Sequence, residues 1–187
     1  MRTPFRLPAV TLVLAAALAV SGCTPDKPSP VPSVSQSGTP LFASDEEALA
    51  AAEEAYAAYL AVVDNVLQSS GDGADSLTSV ASGEALEQAA ADAAEFRAKD
   101  LHTAGNTGLR NIELQDFNLS SGGDGVDVIA YVCEDATGVD LLNASGVSIV
   151  GPNRADLTPF EVSFGVASER RLILTSRLLW EGEGPCT

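Results

Sequence analysis

The sequence predicts an α+β domain in which two amino-terminal helices pack on a curved antiparallel sheet. Apolar residues recur at helical spacing between Ser44 and Gly105, and they alternate at strand spacing from Leu109 to Trp180. The helical part precedes the stranded part, which favours α+β over an alternating α/β arrangement. The 187 residues suffice for one domain with a substantial core, which we place at residues 41–187, behind a separate amino-terminal segment.

Residues 1–22 are typical of a secretory signal peptide. Arg2 and Arg6 precede an apolar run from Ala9 to Val20, which is shorter than the roughly 20 residues of a spanning helix. The run ends in Val20-Ser21-Gly22-Cys23, which resembles the lipobox of bacterial lipoproteins. The resemblance implies cleavage before Cys23, lipidation of its sulfur and anchoring at the extracytoplasmic face of the plasma membrane. An ordinary secreted protein is the alternative.

Residues 23–40 are predicted to be a lipidated cysteine followed by a disordered tether. The segment is rich in Pro, Ser and Thr and has no apolar periodicity. Extended at about 3.1 Å per residue, it would hold the domain about 50 Å from the membrane.

Composition limits the partners. Removing Arg2 and Arg6 with the signal peptide leaves eight basic residues against 26 acidic ones, a net charge of −18. This charge argues against nucleic acid and anionic lipid surfaces as partners. We therefore expect a membrane attachment through the lipid on Cys23 alone, with an envelope protein or a small ligand as the remaining partner.

Two cysteines remain once Cys23 is assigned to lipid. In an exported domain the pair Cys133 and Cys186 predicts a disulfide, since neither lies in the short Cys-x-x-Cys spacing of metal and redox sites. Closing this loop would stabilise the fold by roughly 4 kcal/mol in the chain-entropy treatment.

The helices are predicted from capping signals and apolar spacing. Ser44 and Glu47 form a capping box at the start of the first helix, which ends near Gly71. A short turn precedes the second helix, which starts after Ser82 and ends before Gly105. The first helix presents one apolar face, made of Leu49, Ala52, Tyr56, Tyr59, Val63 and Val66, and the second presents Leu86, Ala89, Ala93 and Phe96.

Alternating apolar residues predict the strands, joined by short loops as an antiparallel meander. In the last strand we expect Leu172, Leu174, Ser176, Leu178 and Trp180 to share one face, with Arg177 on the opposite face beside Ile173 and Thr175. The predicted strands are Leu109–Leu119, Val126–Glu134, a weak one near Val147–Val150, Phe160–Val166 and Leu172–Trp180.

This order of elements resembles the NTF2-like fold of the cystatin-like superfamily, as in lipoproteins of high-GC Gram-positive bacteria. The resemblance covers residues 41–187 and rests on three stretches, which are Ser44-Asp45-Glu46-Glu47-Ala48 with Tyr56 and Tyr59, then Val80-Ala81-Ser82-Gly83-Glu84, and finally Tyr131-Val132-Cys133 with Trp180 and Cys186. It implies a cone of sheet around the first helix, whose interior can hold an apolar ligand. Some members are enzymes and many are binding modules, and the fold alone does not choose between them.

Catalytic signatures are absent from the sequence. The sole histidine, His102, follows the second helix without a partner in sequence, and the glycine loop Gly122–Gly125 lacks a following helix. No spacing indicates a metal or another cofactor. A dehydratase or isomerase of the NTF2-like type, using His102 or a buried Asp as base, therefore stays the alternative rather than the main prediction.

The favoured function is non-catalytic. Tyr56, Tyr59, Tyr131 and Arg177 are the candidate pocket residues, in which the arginine would bind the anionic head of an amphiphile and the tyrosines would line its body. The competing interpretation makes the tyrosines core, while Arg177 reaches solvent or pairs with an acid from a neighbouring strand. The protein then serves as an interaction scaffold in the cell envelope.

Overall fold

The computed structural model describes residues 41–117, 128–167, 171–182 and 184–187. The predicted signal peptide, Cys23, the tether and the glycine loop Gly122–Gly125 lie outside these residues. Helix α1 spans Asp45–Gln68 and helix α2 spans Gly83–Lys99, with a 3₁₀ helix at Ala74–Ser79 between them. Ser44 caps α1 as predicted, because its Oγ accepts the Glu47 N–H at 3.3 Å while Glu47 accepts the Ala43 N–H at 2.6 Å.

Four strands form one antiparallel sheet in the order β2-β3-β5-β6. Each strand pairs with the next one of the sheet along the chain, which is the predicted meander. The α+β prediction is thus confirmed, with both helices packed on one face of the sheet. The strands are β2 at Gly108–Phe117, β3 at Val128–Asp135, β5 at Leu157–Val166 and β6 at Leu172–Leu179.

The core lies between the helices and the inner face of this sheet. Alternation on β3 directs Val128, Ala130 and Val132 inward, and all three are fully buried. Tyr56 of α1 is also fully buried and meets the Phe164 ring edge-on, with ring centroids 6.4 Å apart. Ahead of α1, Phe42 is buried against Phe117, so the packed region already includes the residues just before the first helix.

A second, two-stranded sheet stands apart from the meander. Strand β1 at His102–Ala104 pairs antiparallel with β4 at Asp140–Leu142. The weak strand predicted near Val147–Val150 is wrong, since this stretch contributes only a single bridge from Ser148 to Leu142. Strands of three residues carry too few alternations to give a sequence signal.

A β-bulge in β6 overturns the predicted face of Arg177. The register moves from Phe164 opposite Leu174 to Ser163 opposite Ser176, so Thr175 is an extra residue without a partner of its own. Leu172 and Leu174 face the core, but beyond the bulge Arg177 takes that face, opposite the buried Val162. The predicted single face from Leu172 to Trp180 is therefore wrong after Leu174.

Candidate functional site

Three of the four predicted pocket residues meet at the inner face of the sheet. Tyr56 and Tyr59 lie one turn apart on the buried side of α1, with ring centroids 5.8 Å apart. Arg177 reaches them from β6 because the bulge turns its side chain toward the helix. Tyr131 does not join them.

Arg177 of β6 forms a bidentate ion pair with Glu134 of β3, and its side chain crosses the intervening strand β5. Its Nε donates to Glu134 Oε1 at 2.9 Å and its Nη2 donates to Oε2 at 2.7 Å. The Tyr56 hydroxyl donates to Glu134 Oε1 and accepts from Arg177 Nε at 3.2 Å. We call Tyr56, Glu134 and Arg177 the inner polar cluster.

Packing isolates this cluster from water. The side chains of Arg177 and Glu134 are 18% and 11% exposed, and Tyr56 is fully buried. The Arg177 guanidinium carbon lies 3.5 Å from the centroid of the Phe160 ring, a stacked cation–π contact that covers one face of the guanidinium. The pair is therefore a buried salt bridge, which is costly to form and more costly to break.

The electrostatics of the cluster favour its charged state. Burial opposes the charge of Arg177, but the hydrogen bonds and negative charge of Glu134 outweigh it and hold the pKa of Arg177 above its ordinary value. Burial, helped by the charge of Glu134, raises the pKa of Tyr56 well above its usual range, so that hydroxyl stays a neutral donor. Burial also raises the pKa of Tyr59, against the positive charge of Arg177.

The inner polar cluster thus matches the interpretation in which Arg177 pairs with an acid, but that acid lies on β3 and not on the neighbouring strand β5. Its carboxylate partner, Glu134, is the residue that the sequence analysis missed. A signal for it was present, because Glu134 continues the alternating face of Val128, Ala130 and Val132 and must therefore point into the core. A buried carboxylate needs hydrogen-bond donors or a cation, and Arg177 supplies both.

Tyr131 lies on the outer face of the sheet and does not belong to a pocket with the other three residues. Its ring packs against Trp180, with centroids 4.5 Å apart. On the same face Cys133 and Cys186 form the predicted disulfide, with their Cα atoms 5.0 Å apart. Asn111 Nδ2 donates to the Pro185 carbonyl at 3.2 Å, so the carboxyl-terminal tail is held against β2 and β3.

The residues weighed for catalysis do not form an acid–base pair. His102 is half-buried opposite Leu142 in the small sheet, whereas Glu134 and Arg177 belong to the four-stranded sheet. The buried acid Asp64 accepts the Thr107 N–H at 2.8 Å and the Thr107 hydroxyl at 2.9 Å. Burial raises the pKa of Asp64, and these two hydrogen bonds oppose the rise. The same two hydrogen bonds connect α1 to the loop ahead of β2.

Within the described ranges, no three His, Cys, Asp or Glu side chains are grouped closely enough to hold a metal ion. Nor do those ranges contain a helix with the length and apolar content needed to cross a bilayer.

Among the described residues, four of the five exposed large apolar side chains lie at two places, and the fifth is Val166 of β5. Leu178 and Leu179, at the end of β6, are 47% and 62% exposed. Val147 and Ile149, in the segment that bridges to β4, are 58% and 46% exposed. Neighbouring apolar residues left in water are a typical feature of interaction surfaces.

Comparisons with known proteins give a likeness to solved structures. No protein-family model matches the chain, and no curated protein matches it. Among solved structures, the chain is similar to the intermembrane-space region of the chloroplast protein ARC6, with 20% sequence identity and a TM-score of 0.48. The likeness covers 71% of this chain and 97% of that one.

Proposed function

We propose that this chain is a lipid-anchored protein of the cell envelope whose folded domain docks a partner protein and catalyses no reaction. The observation that carries the proposal is the contrast between the interior and the surface. Inside, Arg177 is neutralised by Glu134 and covered by Phe160. Outside, Leu178 and Leu179 stand in water at the end of an edge strand.

Several features support the envelope location. The segment from Arg2 to Cys23 has the charge, apolar run and lipobox-like end of a lipoprotein leader. The Cys133–Cys186 disulfide suits an oxidising compartment outside the cytoplasm. Two helices on a four-stranded antiparallel meander also suit an NTF2-like domain, which we propose as its fold family.

The anchor is tested by Cys23→Ser in cells fed an alkyne-tagged fatty acid. The full chain should carry the tag and sediment with membranes, whereas Cys23→Ser should lose the tag and leave the membrane fraction. The matched control, Cys186→Ser, removes a different sulfur and should keep the tag. Labelling that persists in Cys23→Ser would refute lipidation at this residue.

The docking function is tested by photocrosslinking in living cells. A benzophenone amino acid replaces Leu178 in one full-length chain, Ile149 in a second and the exposed Ala57 of α1 in a third. We expect a discrete adduct to one envelope protein from Leu178, from Ile149 or from both positions, and no adduct from Ala57. Adducts from neither Leu178 nor Ile149 would refute a docking function.

A small amphiphile is the second candidate ligand, and one observation favours it. Arg177 Nη1 donates no hydrogen bond to the described residues, and the exposed Leu179 extends from the same face of β6. Native mass spectrometry of the exported full chain tests this possibility. A bound mass that is kept in Lys99→Met but lost in Arg177→Met, under conditions where circular dichroism shows that variant folded, would make the ligand the function. An unliganded mass of the wild type would exclude it.

A further inference from the structure

The last four residues of β6 form a strand edge that nothing in the described structure covers. We define this edge, Ser176–Leu179, as the β6 edge. Strand β6 is the outer member of the sheet, and β5 occupies only one of its sides. The two consecutive exposed leucines, Leu178 on the outer face and Leu179 on the inner face, both belong to it.

The other edge positions of the sheet are protected. The first half of β6 is covered by the segment ahead of α2, because Leu174 N–H donates to the Val80 carbonyl at 3.1 Å and its own carbonyl accepts the Ser82 N–H at 2.8 Å. The opposite edge, β2, is irregular at Leu109–Asn111 and at Leu114–Asp116, and bulges of this kind discourage pairing with another strand. Coverage therefore stops at the bulge of β6.

Backbone geometry leaves hydrogen-bonding groups free on the β6 edge. The Trp180 N–H donates to the Pro159 carbonyl of β5 at 3.0 Å, so the N–H of Trp180 points toward the sheet. Successive N–H groups of a strand alternate in direction, and Leu179 and Arg177 therefore direct their N–H and C=O groups away from β5. An extended chain laid along this edge would find two donors and two acceptors at strand spacing.

The charges around the β6 edge are acidic. Glu84 approaches one end, where Ser176 Oγ lies 3.4 Å from its carboxylate, and Glu181 follows the other end along the chain. Glu161 is the cross-strand partner of Leu178. The nearest positive charge, on Arg177, is already neutralised by Glu134. A partner strand with cationic residues at its ends would meet attraction at both ends.

From this combination we propose that the β6 edge binds an extended segment of a partner protein as a fifth strand of the sheet. The segment would carry apolar residues in its middle, against Leu178 and Leu179, and Lys or Arg at its ends, against Glu84 and Glu181. Strand addition of this kind takes its affinity from main-chain hydrogen bonds and its selectivity from the flanking side chains. The inference rests on the proposed docking function and names the surface and the chemistry of the partner.

A synthetic peptide tests the proposal directly. The probe is the capped octapeptide Lys-Lys-Val-Thr-Val-Ile-Lys-Lys, titrated into the ¹⁵N-labelled full chain carrying Cys23→Ser and purified after export. We expect saturable shifts of the Arg177 and Leu179 amide resonances, weakened by added salt because surface charges are screened. Methylating the backbone nitrogens of the two central residues of the peptide, or replacing its lysines with glutamates, should weaken binding at least tenfold.

Matched variants locate the site. Leu179→Lys places a positive charge, the same sign as that of the peptide lysines, on the β6 edge and should weaken peptide binding at least tenfold. The control Val147→Lys, at a similarly exposed position of the other apolar surface, should leave peptide binding unchanged. Equal binding by the methylated peptide, or equal losses in the two variants, would overturn the proposal. So would no binding at all.

The photocrosslinking experiment separates this inference from the proposed function. Adducts from Ile149 without adducts from Leu178 would keep the docking function and overturn the assignment to the β6 edge. Adducts from neither position would overturn both.

Discussion

Replacing Arg177 with methionine should destabilise the fold severely, because it leaves Glu134 charged in a nearly dry site. The Glu134 side chain is 11% exposed, and two of its three hydrogen bonds come from Arg177. Removing one member of a buried ion pair costs about 3–5 kcal/mol. For a domain of this size the midpoint of thermal unfolding should fall by on the order of 10 °C.

The assay is urea unfolding of the oxidised chain, followed by far-ultraviolet circular dichroism, with the free energy of unfolding extrapolated to water. Lys99→Met is the control, because the ion pair of Lys99 with Glu95 is 62% and 57% exposed and surface pairs are worth less than about 1 kcal/mol. If Arg177→Met costs no more than Lys99→Met, the inner polar cluster is not the buried charge pair described above.

A triple variant separates the charge effect from the loss of packing. Tyr56→Phe, Glu134→Leu and Arg177→Met together remove every polar group of the inner polar cluster while keeping most of its volume. Replacing a whole buried polar group with apolar residues is often neutral or stabilising. We therefore expect the triple variant to recover most of the loss of the single variant, and an additive loss would contradict the stranded-charge explanation.

Three further predictions concern other parts of the fold. Cys133→Ala with Cys186→Ser should lower the free energy of unfolding by about 4 kcal/mol, and a reductant should then destabilise the wild type but leave this variant unchanged in urea titrations. Burial raises the pKa of Asp64 in the folded state above its unfolded value of about 3.8, so the folded state binds a proton on Asp64 more tightly than the unfolded state does. The stabilisation from this protonation is present at low pH and is lost as pH rises through the raised pKa. The stability of Asp64→Asn relative to wild type should therefore rise from pH 4 to pH 7. Deleting Thr175 should lower the free energy of unfolding by less than about 2 kcal/mol, because removing the bulge residue keeps Leu174 and Arg177 on the same face of β6. A loss as large as that of Arg177→Met would contradict this register.

Local signals predict much of this fold because they act over a few residues. The Ser44 cap, the buried Tyr56 and the alternation of β3 each depend on spacing within one element. The disulfide is predicted from the number of cysteines and the expected export of the chain rather than from geometry. The three-residue strands β1 and β4 were missed because their pairing depends on where the tertiary fold brings them together.

The candidate site was predictable only in part, and the bulge in β6 explains why. An extra residue in one strand leaves no mark on the sequence, since it depends on pairing with the neighbouring strand. Without it, strict alternation places Arg177 on the face opposite Leu172 and Leu174, and so opposite Glu134. With it, Arg177 enters the core to meet Glu134.

The same extra residue connects the interior to the surface. A bulge shifts the alternation of the backbone N–H and C=O groups by one residue, together with that of the side chains. Before the bulge, Leu174 directs its backbone groups away from β5, toward the covering segment at Val80. Beyond the bulge, Leu179 also directs its N–H and C=O groups away from β5. That segment turns into α2 at Gly83 and, among the described residues, makes no backbone hydrogen bond to β6 beyond Leu174. The bulge that directs Arg177 into the inner polar cluster therefore also sets the backbone groups that the β6 edge offers to a partner.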